Sequence, residues 1–156
     1  MTQTAAALST NAQAEIVEAL NQAVAETAVT TMLAQNFHWN VTGMAFGPLH
    51  TMFQEIYEDH FVAQDDLAER VKALDGHAEG MLAGMLKRSK VSEHDGHASD
   101  QEMVKALQVA QETLAATLAG AGELAANHGD TLTEDLCIAR GQTHEKFAWM
   151  LRSHLR

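Results

Sequence analysis

The sequence predicts an all-α four-helix bundle with one short helix in the long connection between helices two and three. Three observations predict it. Apolar residues recur at helical spacing in four long stretches, and no stretch alternates with the period of an exposed strand. A single Pro among 156 residues leaves room for long, unbroken helices. Gly- and Asp-containing breaks separate the stretches, and two Ser/Thr-x-x-Glu/Gln patterns open two of them.

The first helix is expected from Thr10 to Phe37, opened by a capping box of Thr10 and Gln13. Ile16, Leu20, Val24 and Ala28 share one face of it. The stretch Asn40 to Gly47 breaks the pattern. Pro48 is suited to a first helical position, where its missing N–H would be unpaired anyway. The second helix therefore runs from Pro48 to Leu74, with Leu49, Phe53, Ile56, Ala63, Leu67, Val71 and Leu74 as its apolar stripe. A connection from His77 to Ala98 follows, with a short helix at Met81–Leu86. Ser99 and Glu102 form a second capping box and open a helix that ends at Asn127. Gly129 and Asp130 turn the chain into the last helix, Thr131–Ser153. The length of the second connection argues against a simple up-down-up-down path. One domain over residues 1–156 suffices, with 1–9 as a flexible tail.

Charge narrows the function. The chain has 21 acidic residues against 10 Lys and Arg, a formal net charge of −11. Residues 1–69 hold no Lys or Arg at all. Binding to nucleic-acid phosphates needs clustered positive charge. Arg152 and Arg156 near the end, and Lys87, Arg88 and Lys90 in the connection, are too few, so direct DNA binding is not expected. The one Cys, Cys137, excludes an intrachain disulfide and reads as a small buried hydrophobe. No apolar run approaches the ~20 residues of a membrane span. The start carries no positively charged signal region, so a cytoplasmic protein is expected.

The polar residues decide the chemistry. His38 closes helix one and His50 opens helix two. On a helical wheel with His50 as zero, Gln54, Asp65 and Glu69 fall within about 100° on one side, and Glu58 at about 80°. The apolar stripe lies on the other side. Imidazoles and carboxylates suit Fe, Zn, Mn or Cu. Yet His50 and Glu69 are ~28 Å apart along the helix axis, so one chain cannot bring both to one ion. Two chains can. An antiparallel copy of helix two, paired about a two-fold axis near residues 59 and 60, places His50 opposite Glu69 and Gln54 opposite Asp65. Such an isologous contact builds two identical sites, each with His from one subunit and carboxylates from the other. A centre inside the bundle would call for Glu-x-x-His. No Glu or Asp in this chain is followed three positions later by His.

These residues stand in recognisable surroundings. NFHWNVTG, then LHTMFQEIYEDHFVAQDDLAERVKALDG, then KFAWMLRS resemble the Dps proteins, miniature ferritins named for DNA protection in starved bacterial cells. The resemblance covers about residues 10 to 153. It implies a ferritin-like bundle assembled as a hollow dodecamer, and oxidation of Fe(II) at two-fold interface sites with hydrogen peroxide preferred over oxygen. It also implies storage of the ferric product inside. By the same resemblance, His38 and His50 ligate iron from one subunit, and Asp65 and Glu69 from its mate. Trp39 is then a sacrificial electron donor beside the iron, besides its packing role. Asp130, Glu134 and Asp135 correspond to an acidic pore, although acids at a helix start also serve the helix itself. Zn is a substitute metal. Gln54 departs from the family, which commonly has an acid there. Its neutral amide predicts weaker Fe(II) binding, with Glu58 able to contribute. A shell-forming protein with impaired ferroxidase activity is the alternative, and a DNA-compacting protein the one that the charge disfavours. His60, on the apolar stripe, reads as a satisfied core histidine. The cluster His94, Asp95 and His97 could bind metal but reads first as a solvated loop.

Overall fold

The computed structural model describes residues 8–94 and 97–156. The start of the N-terminal tail and Asp95 lie outside the described residues. Helix α1 spans Thr10–Asn40 and is capped by Ser9, not Thr10. Ser9 is extended, and its hydroxyl accepts from the Ala12 N–H at 3.2 Å, so Thr10 is already helical. The helix continues past Phe37 to Asn40 because nothing breaks it before Val41. His38 and Trp39 thus ride on its last turn.

Helix α2 spans Phe46–Ala73. It starts ahead of Pro48, which sits within the first turn, where backbone N–H groups lack intrahelical acceptors in any case. Its end is closed by Asp75 at φ 57°, with the Gly76 N–H reaching back to the Val71 carbonyl at 3.0 Å. A Cβ on Gly76 would lie 2.6 Å from a Val17 methyl, so only Gly lets the chain pass this close to α1.

The connection then climbs the side of α1. Asn21 holds it by donating to the His77 carbonyl and accepting from the Glu79 N–H, both at 2.9 Å. Helix α3, Leu82–Arg88, starts one residue later and ends two residues later than expected, and buries Met85. Arg88 pairs with Glu18, and its carbonyl accepts from Gln22. Helix α4 spans Asp100–Asn127 behind the expected Ser99–Glu102 capping box. Gly129, at φ 75°, makes the tight turn into α5, Thr131–Ser153.

Two apolar clusters reveal the path. One joins the end of α1, the start of α2, the start of α4 and the end of α5, through Phe37, Phe53, Leu107 and Leu151. The other joins the start of α1, the end of α2, the end of α4 and the start of α5, through Leu20, Leu67, Leu118 and Cys137. So α1 and α5 run one way, and α2 and α4 the other. The long connection must travel the length of the bundle to make α2 and α4 parallel, which explains its size. No described helix is long and apolar enough to cross a membrane.

Candidate metal centre

Two pairs of histidines compete for the role of metal site. The first lies between the two apolar clusters, in the middle of the bundle. His60 and His144 are both fully buried, with ring centroids 4.9 Å apart, edge to face. Gln111 on α4 bridges them. The His144 Nδ1–H donates to the Gln111 carbonyl oxygen at 2.7 Å, and the Gln111 amide donates to His60 Nε2 at 2.9 Å. His60 Nδ1–H donates to Asp59 at 3.0 Å. Arg140 closes the ring, with two bonds to Asp59 at 2.7 and 3.1 Å and one to His144 Nε2 at 3.3 Å. Arg can only donate and carboxylate can only accept, so the direction of every bond in the ring is dictated.

Electrostatics agrees with that reading. Burial, joined by the nearby charge of Arg140, pushes the His144 pKa down to about 2. Burial likewise lowers His60, against the pull of Asp59. Burial tends to raise Asp59, but its bonds to His60 and Arg140 outweigh this and hold it well below the usual carboxylate range. Both imidazoles are therefore neutral, and all four of their nitrogens are engaged with protein groups. His60 is the satisfied core histidine that its stripe predicts. A guanidinium and an amide stand where an intrabundle metal centre would need carboxylates.

The second pair lies where α1 ends and α2 begins. His38 is buried and His50 half-buried, their rings stacked with centroids 3.7 Å apart at 18°. The two tie each other to the backbone. His38 Nδ1–H donates to the His50 carbonyl at 2.7 Å, and His50 Nδ1–H donates to the His38 carbonyl at 2.8 Å. Tyr57 packs edge-on against His38, and Phe46 stacks on His50. A carbonyl accepts only, so each Nδ1 must carry a proton, and each Nε2 takes no part in the lock. Among the described residues no group hydrogen-bonds either Nε2. Holding a ring by its Nδ1–H is how a metal-binding imidazole is oriented by its surroundings.

The rest of the predicted set is placed as follows. Asp65, Glu69 and Glu58 are exposed on α2, and Gln54 is half-buried, its amide donating to Glu58 at 2.8 Å. Among the described residues of one chain, no three His, Cys, Asp or Glu side chains come together as a metal site. Trp39 is 64 % exposed despite its place beside His38. Of the three acids at the start of α5, Asp130 is buried. It caps the helix by accepting from the Thr133 N–H, and it pairs with Arg70 at 2.8 Å. Glu134 is half-buried and Asp135 exposed. Cys137 is buried, and its thiol is pushed up to about 11 by burial and by Asp130. His94 lies half-buried, edge-on to Phe37, while His97 is exposed.

Sequence reasoning missed two features. One is the partnership of Arg140, His144 and Gln111. The i, i+4 spacing of Arg140 and His144, on the face of α5 that also carries Cys137 and Leu151, was its only trace. The other is Phe61 and Val62, 72 % and 60 % exposed at the middle of α2. They fall about 20° and 120° from His50 on the wheel, between the polar ends of the same face.

Comparison with known proteins places this architecture. The Ferritin-like domain family matches residues 17–156. A DNA protection during starvation protein of Brevibacillus brevis is 34% identical over 148 residues, covering 95% of this chain and 99% of that protein. The crystal structure of Dps from Staphylococcus aureus is 36% identical with a TM-score of 0.90, covering 92% of this chain and 97% of that one. That of the Vibrio cholerae DPS protein, described as a ferritin-like diiron-carboxylate protein, has a TM-score of 0.91 at 31% identity and covers 96% and 94%. The chain belongs to the ferritin-like family and, within it, to the Dps proteins.

Proposed function

We propose that this protein is an iron-storing miniferritin. It oxidises Fe(II), with hydrogen peroxide as oxidant, at sites shared across a two-fold interface in a twelve-subunit cytoplasmic shell. The observation that carries this reading is the reciprocal lock of His38 and His50, which uses both Nδ1 atoms and leaves both Nε2 atoms without a hydrogen-bond partner among the described residues. The remaining ligands, Asp65 and Glu69, share the α2 face with His50 but lie too far along it to serve the same ion within one chain. An antiparallel α2 copy supplies them. Phe61 and Val62 give that face an apolar middle to bury, which an isologous contact needs and a solvated helix does not. The description of the Vibrio cholerae relative as a diiron-carboxylate protein supports iron as the metal. Zn(II) would occupy the same donors without redox chemistry.

Iron is the substrate here. Two Fe(II) ions each give one electron, peroxide takes both with two protons, and two waters form. Supplying the electrons as a pair avoids the one-electron cleavage that releases hydroxyl radical. The two imidazoles hold Fe(II), and the anionic carboxylates favour the Fe(III) product. Trp39 is the electron donor available to any radical that escapes. At the start of α5, Glu134 and Asp135 are the acids free to draw Fe(II) inward, while Asp130 is committed to capping and to Arg70. DNA protection, the role in the names of several relatives, then comes from removing iron and peroxide, because the acidic surface lacks the charge to bind DNA directly. A second reading, a shell with impaired ferroxidase activity, is favoured by the neutral amide of Gln54.

The test is anaerobic loading of the apo-protein with Fe(II), then stoichiometric peroxide, following ferric absorbance and radical yield. Fast oxidation to a soluble, protein-bound product, lost in His50→Ala and in Asp65→Ala, is the expected result. Oxidation no faster than in buffer would overturn the ferroxidase reading and leave the shell alone.

A further inference from the structure

Gln54 departs from the acid that the shared site would favour, and the structure shows what it does instead. Its Nε2 lies 2.8 Å from a Glu58 carboxylate oxygen, one helical turn on. A carboxylate has no proton to give, so the amide must turn its NH2 to Glu58. The other end of the amide, the carbonyl oxygen, is thereby turned away from Glu58. The orientation of Gln54 is set by chemistry, not by chance rotation.

We propose that Glu58 is a positioning residue and that Gln54 with Glu58 forms a two-part ligand, in which the Gln54 carbonyl oxygen meets the metal. This rests on the shared-site reading above. The carboxylate acts one bond network behind the metal instead of touching it. An amide whose N–H donates to an anion carries more negative charge on its carbonyl oxygen, so Glu58 both aims the donor and raises its basicity. Carboxylates play the same part behind metal-binding histidines, where removing them typically costs about 10–100-fold in metal affinity. The pairing needs these two side chains alone, i and i+4 on one helix face. The consequence is a site that keeps an oxygen donor at this position with less direct charge on the metal, and hence looser Fe(II) binding than a carboxylate there would give.

The experiment uses Co(II), a redox-silent probe, titrated into the assembled apo-protein and read by its d–d absorption. Glu58→Ala should weaken binding by roughly tenfold. Glu58→Gln, which still accepts from the Gln54 amide but has no charge, should fall between that variant and the natural protein. Gln54→Asp should bind more tightly than the natural protein. The deciding comparison is Glu58→Ala made on top of Gln54→Asp, where no further loss is expected, because the direct carboxylate no longer needs aiming. Equal affinity for Glu58→Ala and the natural protein would overturn the proposal. So would the same loss in both backgrounds, which would mean that Glu58 acts on folding or assembly. Co(II) binding that survives His50→Ala unchanged would instead overturn the shared site itself, and this proposal with it.

Discussion

The His38–His50 pair and the His60–His144 pair use the same side chain in different surroundings, and the surroundings decide the role. In the bundle centre, Gln111, Asp59 and Arg140 consume every proton and lone pair of both imidazoles. Nothing is left over for a ligand, and burial keeps both rings neutral. At the α1–α2 junction, backbone carbonyls consume only the Nδ1 protons, and each Nε2 remains available. A saturated pair is structure, whereas a half-saturated pair keeps the nitrogens that a ligand would need. Counting histidines does not separate the two, but accounting for each nitrogen does.

The sharpest way to break this comparison is to exchange the losses. His50→Ala should weaken Co(II) or Fe(II) binding by about 100-fold or more, since it removes a proposed ligand and the ring stacked on His38, while the residue 50 carbonyl that holds His38 stays in place. It should lower the thermal midpoint of the apo-protein only slightly, because His50 is half-buried at one end of the bundle. A large stability loss with metal affinity intact would reverse the assignment. Gln111→Leu should do the opposite. It leaves the buried His60 Nε2 and the His144 Nδ1–H without partners, at about 1–3 kcal/mol each. At ~2–4 °C per kcal/mol for a chain of this size, the midpoint should drop by roughly 10 °C in thermal unfolding, with metal affinity unchanged. A drop of a degree or two would show that the ring is dispensable.

The smallest effect is one of slope. The His144 pKa is about 2 in the folded protein and about 6.5 in the unfolded chain. Below pH 6.5 the unfolded chain binds a proton that the folded one refuses. The stability of the neutral ring is therefore complete above pH 6.5 and falls as the pH drops toward 2. His144→Gln keeps a donor for Gln111 and an acceptor for Arg140 but does not titrate. It should flatten the fall in stability between pH 6.5 and 4 by up to about 1.4 kcal/mol per pH unit. Identical slopes in urea unfolding at several pH values would show that His144 titrates normally and that the ring is more open than its geometry.

Much of this was legible in the sequence, because much of it is local. Helix periodicity, the Ser99–Glu102 box and the Gly129–Asp130 turn depend on residues a few positions apart, and all three appear in the structure. The wheel position of His50, Gln54, Asp65 and Glu69 is likewise a property of one helix. Cap choice at Ser9 was missed by one residue because Ser and Thr are near-equal caps and only the backbone conformation of Ser9 decides between them. The start of α2 was missed because Pro48 is compatible with more than one place in a first turn.

Tertiary structure decided what no window along the chain contains. Gln111 lies 51 positions from His60 and 33 from His144, yet it satisfies both. Asp130 looked like one of three equivalent acids until Arg70, 60 positions away, claimed it. The Nε2 atoms of His38 and His50 became available only because each Nδ1 found the other residue's carbonyl across the α1–α2 turn. The sequence by itself determined which side chains could serve as ligands, since that follows from residue type and helical spacing. Which of them were left unspent was decided by the packing of the helices, because a hydrogen bond belongs to whatever group arrives beside it, however distant in the chain.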